Sequence, residues 1–175
     1  MLDIIYLIFF ILPAYVANSS PLILGGRFPI DFNKNFFDKR PIFGKGKTYL
    51  GLVGGFFAGM LTSILEAKIF INTEFDIFAS NIFIYLEVGF LLSSGTLFGD
   101  LLGSFIKRRL GIKRGKPFLL DQISFIIIAL VFIYIAGFRY IFKIENILFL
   151  FIFTYIIHRI ANHIAFILKL KNVPW

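Results

Sequence analysis

The chain has 175 residues, 58% of them hydrophobic and 25 of them Phe, with a mean hydropathy of +0.86. Charged residues make up only 16%, against about a quarter in a soluble domain. A water-soluble globular enzyme is therefore excluded, and one integral-membrane domain is expected over residues 1–175. There is no cysteine, which excludes disulfides, thiolate metal sites and cysteine nucleophiles.

Five apolar segments approach spanning length, over 2–19, 49–71, 82–106, 120–141 and 147–168. Each is near the roughly 20 residues that a helix needs to cross the hydrocarbon. Alternation of polar and apolar residues is missing, so a β-barrel is excluded and an all-α membrane protein is expected. The first segment lacks a basic flank and a small-residue cleavage site, and reads as a retained helix. Gly54, Gly55 and Gly59 in the second give the small-residue spacing at which helices approach closely.

Net charge is +8, but no basic stripe with interleaved aromatics lies on a soluble segment, which argues against nucleic acid. The basic residues instead set orientation. Arg27, Lys34, Lys39, Arg40, Lys45 and Lys47 follow the first segment. Lys107, Arg108, Arg109, Lys113, Arg114 and Lys116 follow the third, and Lys169 and Lys171 follow the fifth. The opposite face has Lys68, Arg139 and Lys143 beside Asp3, Glu74, Asp76 and Glu145. The positive-inside rule then predicts five spans with the N-terminus outside, the C-terminus cytoplasmic and two basic cytoplasmic loops.

Chemistry concentrates on that basic side. Asp100, Ser104 and Arg108 recur at a spacing of four and share one helix face. Asp121 starts the next segment on the same side, either as a cap for 122–124 or as a functional carboxylate. Two carboxylates from adjacent helices, beside Lys107, Arg108 and Lys113, suit a divalent cation holding a polyphosphate. The run Gly44-Lys45-Gly46-Lys47-Thr48 is not a P-loop, since Pro41 stands where that motif needs glycine. Glycines, Lys47 and a following helix N-terminus still favour phosphate. Asn18 and Asp31 in the first loop either orient a ligand or cap turns. Glu87 is expected near the outer end of its helix, snorkelling or paired outside. His158, Arg159, Asn162 and His163 form a polar stripe expected to face the bundle interior. Zinc is disfavoured, because the two histidines lack an HExxH or cysteine pattern.

These residues resemble a known family. Gly99-Asp100, Ser104, Lys107-Arg108, Lys113 and Leu120-Asp121 are similar to the signature of CDP-diacylglycerol synthases. The fuller resemblance is to the archaeal, CDP-archaeol synthase branch. It extends to Pro13, Asn18 through Pro21, Pro29-Ile30-Asp31, Gly44-x-Gly46-Lys47-Thr48-x-x-Gly51, His158, Asn162 and Pro174-Trp175. The resemblance implies transfer of CMP from CTP to an isoprenoid glycerol-phosphate ether lipid, the unsaturated archaetidic acid, with release of pyrophosphate in archaeal phospholipid biosynthesis. It implies Mg²⁺ held by Asp100 and Asp121. Lys47, Lys107 and Arg108 would act on the phosphates, with Asn18, Asp31, Gly44, Gly46, Thr48, Ser104 and Lys113 as substrate contacts. A homodimer is compatible with it.

The sequence departs from the bacterial and eukaryotic pattern, which continues from the Asp into Arg-x-Asp. Here Asp121 is followed by Gln122, Ile123 and Ser124. Ser124 stands where an acid is often found, which makes Asp31 the alternative third carboxylate. A polyprenol or lipid kinase and a small membrane transporter stay open as rival readings. A CDP-alcohol phosphotransferase would need closely spaced Asp pairs on one helix, and none is visible.

Overall fold

A computed structural model describes residues 3–174 apart from 114 and 117. Leu2, Arg114 and Trp175, on which parts of the reading above rest, lie outside the described residues. Helix α1 (Ile4–Ser19) continues after Ser20 into the short α2 (Pro21–Leu24). Pro13 inside α1 has no N–H to offer the Phe9 carbonyl. Tertiary packing compensates, for Leu7, Phe10, Ile11, Ala14 and Ala17 are all buried. Thr48 caps α3 (Tyr49–Phe70): its hydroxyl oxygen accepts the Gly51 amide at 3.2 Å and the Gly26 amide at 3.1 Å. One side chain thus starts α3 and ties down the chain that leaves α2.

Helix α4 (Ile82–Arg109) is the longest, at 28 residues, or about 42 Å at 1.5 Å per residue. It ends three residues later than expected and carries Lys107, Arg108 and Arg109 in its last turn, where cations favour the helix dipole. Helix α5 (Leu120–Ile135) has 16 residues and is shorter than the apolar stretch predicted. The chain turns at Gly137, whose φ of 96° only glycine adopts easily, and passes through a 3₁₀ turn over Arg139–Ile141. Helix α6 (Ile144–Ile167) follows. Among the described residues, four stretches are long and apolar enough to cross a membrane: Ile4–Leu24, α3, α4 and α6. The expectation of a fifth full-length helix over 120–141 is corrected, since α5 falls short of that length. The chain is a multi-pass membrane protein.

No regular strand forms among the described residues; there are only two isolated bridges in the first loop. Helix α4 lies centrally, packing against α5, α3 and α1, while α6 rests mainly on α5. Tyr85, Leu92, Phe125, Ile126, Ile133 and Leu150 fill the space between them. Gly95, Gly99 and Gly103, one turn apart on α4, let α5 come nearly into backbone contact. A Cβ at Gly95 would sit 2.7 Å from the Ala129 Cα, and one at Gly99 2.6 Å from the Ser124 carbonyl oxygen. Of the three glycines noted in α3, Gly55 and Gly59 face Ala17 and Pro13 of α1, whereas Gly54 faces Leu24. This is small-residue packing, in which dispersion between close backbones replaces the hydrophobic drive that lipid does not provide.

Candidate functional site

The first loop is built around Asp31. Its Oδ1 accepts the Asn33 amide at 3.0 Å, and its Oδ2 accepts the amides of Phe43 (3.0 Å) and Gly44 (2.8 Å). Burial works to raise the Asp31 pKa, but these amides outweigh it and hold the carboxyl below its ordinary value. With residues 28–30 paired to 47–49, Asp31 braces the segment from Gly44 to Lys47. Both of its oxygens are occupied by backbone, and it is not among the residues that line the cavity described below. Of the two roles open from sequence, the turn role is the one seen.

Arg109, at the end of α4, clamps the same loop from the other side. It pairs with Asp38 and donates to the carbonyls of Pro41 and Arg40, the latter at 3.2 Å. Its guanidinium lies 4.8 Å from the Phe36 ring centroid and 5.0 Å from that of Phe105. A planar, delocalised cation suits this setting of two rings and several acceptors.

The second basic loop is held by Lys107 and Arg108. Lys107 is buried; its Nζ donates to the Lys116 carbonyl at 2.7 Å and pairs with Asp121. Arg108 donates to the Ile112 carbonyl at 2.7 Å. Asp121 is not the cap of α5, for Leu119 holds that position and Asp121 lies in the first turn. Its charge is favourable there. Ser124 seats its hydroxyl against Gly103, at the contact that brings α5 onto α4. The position that carries an acid in relatives of the wider pattern is here a close helix–helix contact.

These elements enclose a cavity of about 900 Å³. On one side stand Asp100, Ser104, Lys107 and Arg108 of α4, Asp121 of α5, and the segment Gly44–Thr48. Lys47 donates to Asp100 at 2.5 Å. Tyr15, Asn18 and Ser19 of α1 and Thr154, Ile157, His158 and Asn162 of α6 complete the lining. A hydrogen bond of 2.8 Å between Tyr15 and Thr154 links those helices. Asn18, Gly44, Gly46, Lys47, Thr48, Asp100, Ser104, Lys107, Arg108 and Asp121 are thus brought together in one lining. Lys113 is exposed and, like Asp31, is not in the lining. The polar stripe of α6 is corrected: His158 and Asn162 line the cavity, but Arg159 and His163 are exposed on another face. Glu87 is exposed near the N-terminal end of α4.

Two features escaped the sequence reading. Lys171, counted above only as a topology signal, lines the cavity and donates to Asn162 Oδ1 at 2.8 Å. Burial lowers its pKa; Asp121 opposes that fall, and Lys107 and Lys47 add to it. Its spacing of nine from Asn162 is not a helical one, so no periodicity could have signalled the contact. Glu66 of α3 is buried near the opposite end of the bundle, with its Oε1 unpartnered by any hydrogen bond. A carboxylate inside a stretch long and apolar enough to cross a membrane is a signal that the sequence carries.

Among the described residues no three acidic or histidine side chains come together, so a cation would have Asp100 and Asp121 as its carboxylates. That donor set suits Mg²⁺, which keeps several waters and takes one or two carboxylates plus substrate phosphates. It does not suit a closed all-protein cation site. Both acids hold a lysine instead, so binding a cation would require exchange of partners.

The family model of CarS-like CDP-archaeol synthases matches residues 1–175. A CDP-archaeol synthase of Methanococcus aeolicus is 48% identical, with 99% of this chain and 100% of that one covered. Its counterpart from Pyrococcus abyssi is 47% identical, with 95% of each chain covered. A solved structure of an intramembrane enzyme for archaeal membrane lipid biosynthesis superposes with a TM-score of 0.76. The two share 35% sequence identity, over 89% of this chain and 91% of that one.

Proposed function

The chain belongs to the CDP-archaeol synthase family, and from that premise we propose how its cavity performs the transfer of CMP from CTP to the phosphate of an unsaturated isoprenoid glycerol ether lipid. The enzyme is a CTP-dependent lipid cytidylyltransferase. One observation carries the site assignment: Lys47, Asp100, Lys107, Arg108 and Asp121, drawn from one loop and two helices, line one cavity.

A phosphate monoester has a second pKa near 6 and is already an anionic nucleophile at neutral pH, so no strong general base is needed. An oxygen of the lipid phosphate attacks the α-phosphorus of CTP. The new P–O bond forms as the bond to the bridging oxygen of the β-phosphate breaks, and pyrophosphate leaves with that electron pair. The chain must neutralise charge, align the two phosphates and exclude water. Lys47, Lys107 and Arg108 supply positive charge. Gly44 and Gly46 let the loop backbone approach the triphosphate, Thr48 fixes that loop to α3, and Asn18 and Ser104 contact the substrates. Asp100 and Asp121 would hold Mg²⁺, which when bound neutralises developing charge on the phosphates.

The basic loops and the site face the cytoplasm in this reading, with the short apolar α5 as a fifth span beside the four long ones and the N-terminus outside, because Lys and Arg gather at one end of the bundle. The cysteine-free chain permits a direct check, in which a cysteine at Lys39 is shielded from an impermeant maleimide in intact cells and one at Asn72 is labelled. The activity itself is tested by incubating purified protein with labelled CTP, Mg²⁺ and bis-geranylgeranyl glycerol phosphate. CMP incorporation into lipid is expected; transfer of the γ-phosphate to a lipid alcohol would instead make it a kinase.

A further inference from the structure

Two anions must meet in this cavity, and an in-line displacement puts the incoming nucleophile and the departing pyrophosphate on opposite sides of the reacting phosphorus. Cationic groups are therefore needed on two sides. The loop segment Gly44–Lys47 supplies one. A further cation, from a distant part of the sequence, is brought into the lining by the C-terminal tail.

The tail reaches it through a defined turn. After Leu168, Lys169 takes a left-handed φ of 58°. The amide of Lys169 returns to the Phe166 carbonyl at 3.0 Å, and those of Leu170 and Lys171 to the Ala165 carbonyl at 2.9 and 3.2 Å. This closes the orphaned carbonyls of the helix end and reverses the chain. Lys171 consequently points back along α6 to Asn162, donating to it at 2.8 Å. Val173 reaches the second basic loop, 4.0 Å from where a Cβ on Gly115 would stand. The Lys171 ammonium is partly buried and close enough to Asp121, Lys107 and Lys47 to feel their charge. Beside it, Ile157, Ala161 and Leu170 line the cavity.

We propose that Lys171, with Asn162, forms a second anion-binding subsite that receives the phosphate monoester of the lipid acceptor. A cation next to an apolar wall matches a ligand with a charged head and hydrocarbon tails. Lys47, set among glycines on the loop side, serves the triphosphate. The assignment rests on the cytidylyltransferase reading for the identity of the ligand, but its binding test does not depend on turnover.

The experiment compares full-length wild type, Lys171→Met and Lys171→Arg in a lipid environment. Each KM is measured with the other substrate saturating. Losing a charge-assisted hydrogen bond predicts a rise of about tenfold or more in the KM for the lipid phosphate in Lys171→Met. The KM for CTP should stay within about twofold, and Lys171→Arg should recover most of the loss. In parallel, thermal shifts without CTP are recorded with the lipid phosphate and with the corresponding uncharged lipid alcohol. Wild type and Lys171→Arg should be stabilised by the phosphate over the alcohol, and Lys171→Met should not. Equal rises in both KM values, or a phosphate-specific shift that survives in Lys171→Met, overturn the subsite. If wild type transfers no CMP, the proposed function falls, and the thermal shifts still judge Lys171 by themselves.

Discussion

Lys47 and Asp100 are joined by an ion pair of 2.5 Å that links the glycine-rich loop before α3 to the middle of the cavity wall on α4. Both side chains are about a quarter exposed, at 24% and 26%. The pair is thus open to incoming ligands and not sealed in the core. Lys107 and Asp121 repeat the arrangement between α4 and α5. In each pair a carboxylate is held beside a lysine, so in the proposed reaction substrate binding would redistribute partners that are already positioned.

Asp100→Asn and Asp121→Asn should each lower Mg²⁺-dependent CMP transfer by about a hundredfold or more, the scale of removing one preorganised electrostatic partner from a transition state. Both variants should keep their helical circular dichroism. Near-normal turnover in both at saturating Mg²⁺ would remove the metal assignment. The double variant should lose little more than either single one, because the carboxylates act as a unit.

Arg109→Ala should act on CTP through the loop it clamps. With its contacts to Asp38, Arg40 and Pro41 gone, the Gly44–Lys47 segment is presented less well. The KM for CTP should rise about three- to tenfold, as for one lost charge-assisted contact, and kcat should change less. Arg109→Lys should recover little, since an ammonium cannot reproduce the planar donor set between the Phe36 and Phe105 rings. Steady-state kinetics with varied CTP decide this; full recovery by lysine contradicts it.

Asp31 should make stability depend on pH. Its folded pKa is depressed, so its contribution is complete above the unfolded value of about 3.9. That contribution is lost as pH falls through the lower folded value. Asp31→Asn replaces one acceptor oxygen by a donor facing backbone amides, and should melt at a lower temperature than wild type at neutral pH. The gap between the two melting curves should close in acid, below the folded pKa. A gap that does not vary between pH 7 and pH 3 would show that the carboxylate charge is not what braces the loop.

Gly95→Ala should separate α4 from α5, because its new Cβ meets the rigid Ala129 backbone at 2.7 Å. Overpacking of this kind costs about 1–3 kcal/mol, readable as a lower melting temperature in detergent. The variant lies away from the cavity lining, so the activity of the folded fraction should change less than its stability.

The class of molecule, the position of most helices and the side on which the charges gather were legible in the linear chain. Each depends on local composition or on periodicity within one segment. The same is true of Asp100, Lys107 and Asp121, since a carboxylate or cation at the end of an apolar helix is conspicuous wherever that helix packs. The shortening of α5 was less legible, because Gly137 interrupts an otherwise apolar stretch only through its backbone dihedral. Asp31 looked equally fit to hold a ligand or a turn until its oxygens were seen to accept amides from residues twelve and thirteen positions away.

What the tertiary structure alone decided are the partnerships between distant segments. Ser124 stands at a close helix contact because Gly103 faces it from α4. His158 and Asn162 part from Arg159 and His163 because only one face of α6 meets the cavity. Lys171 enters the site because a left-handed residue reverses the chain after α6. Hydropathy and helical spacing report how a segment relates to its solvent and to its own neighbours three or four residues away. They carry no information on which face meets which helix, and that choice is made by close packing of small residues and by long-range hydrogen bonds across the bundle.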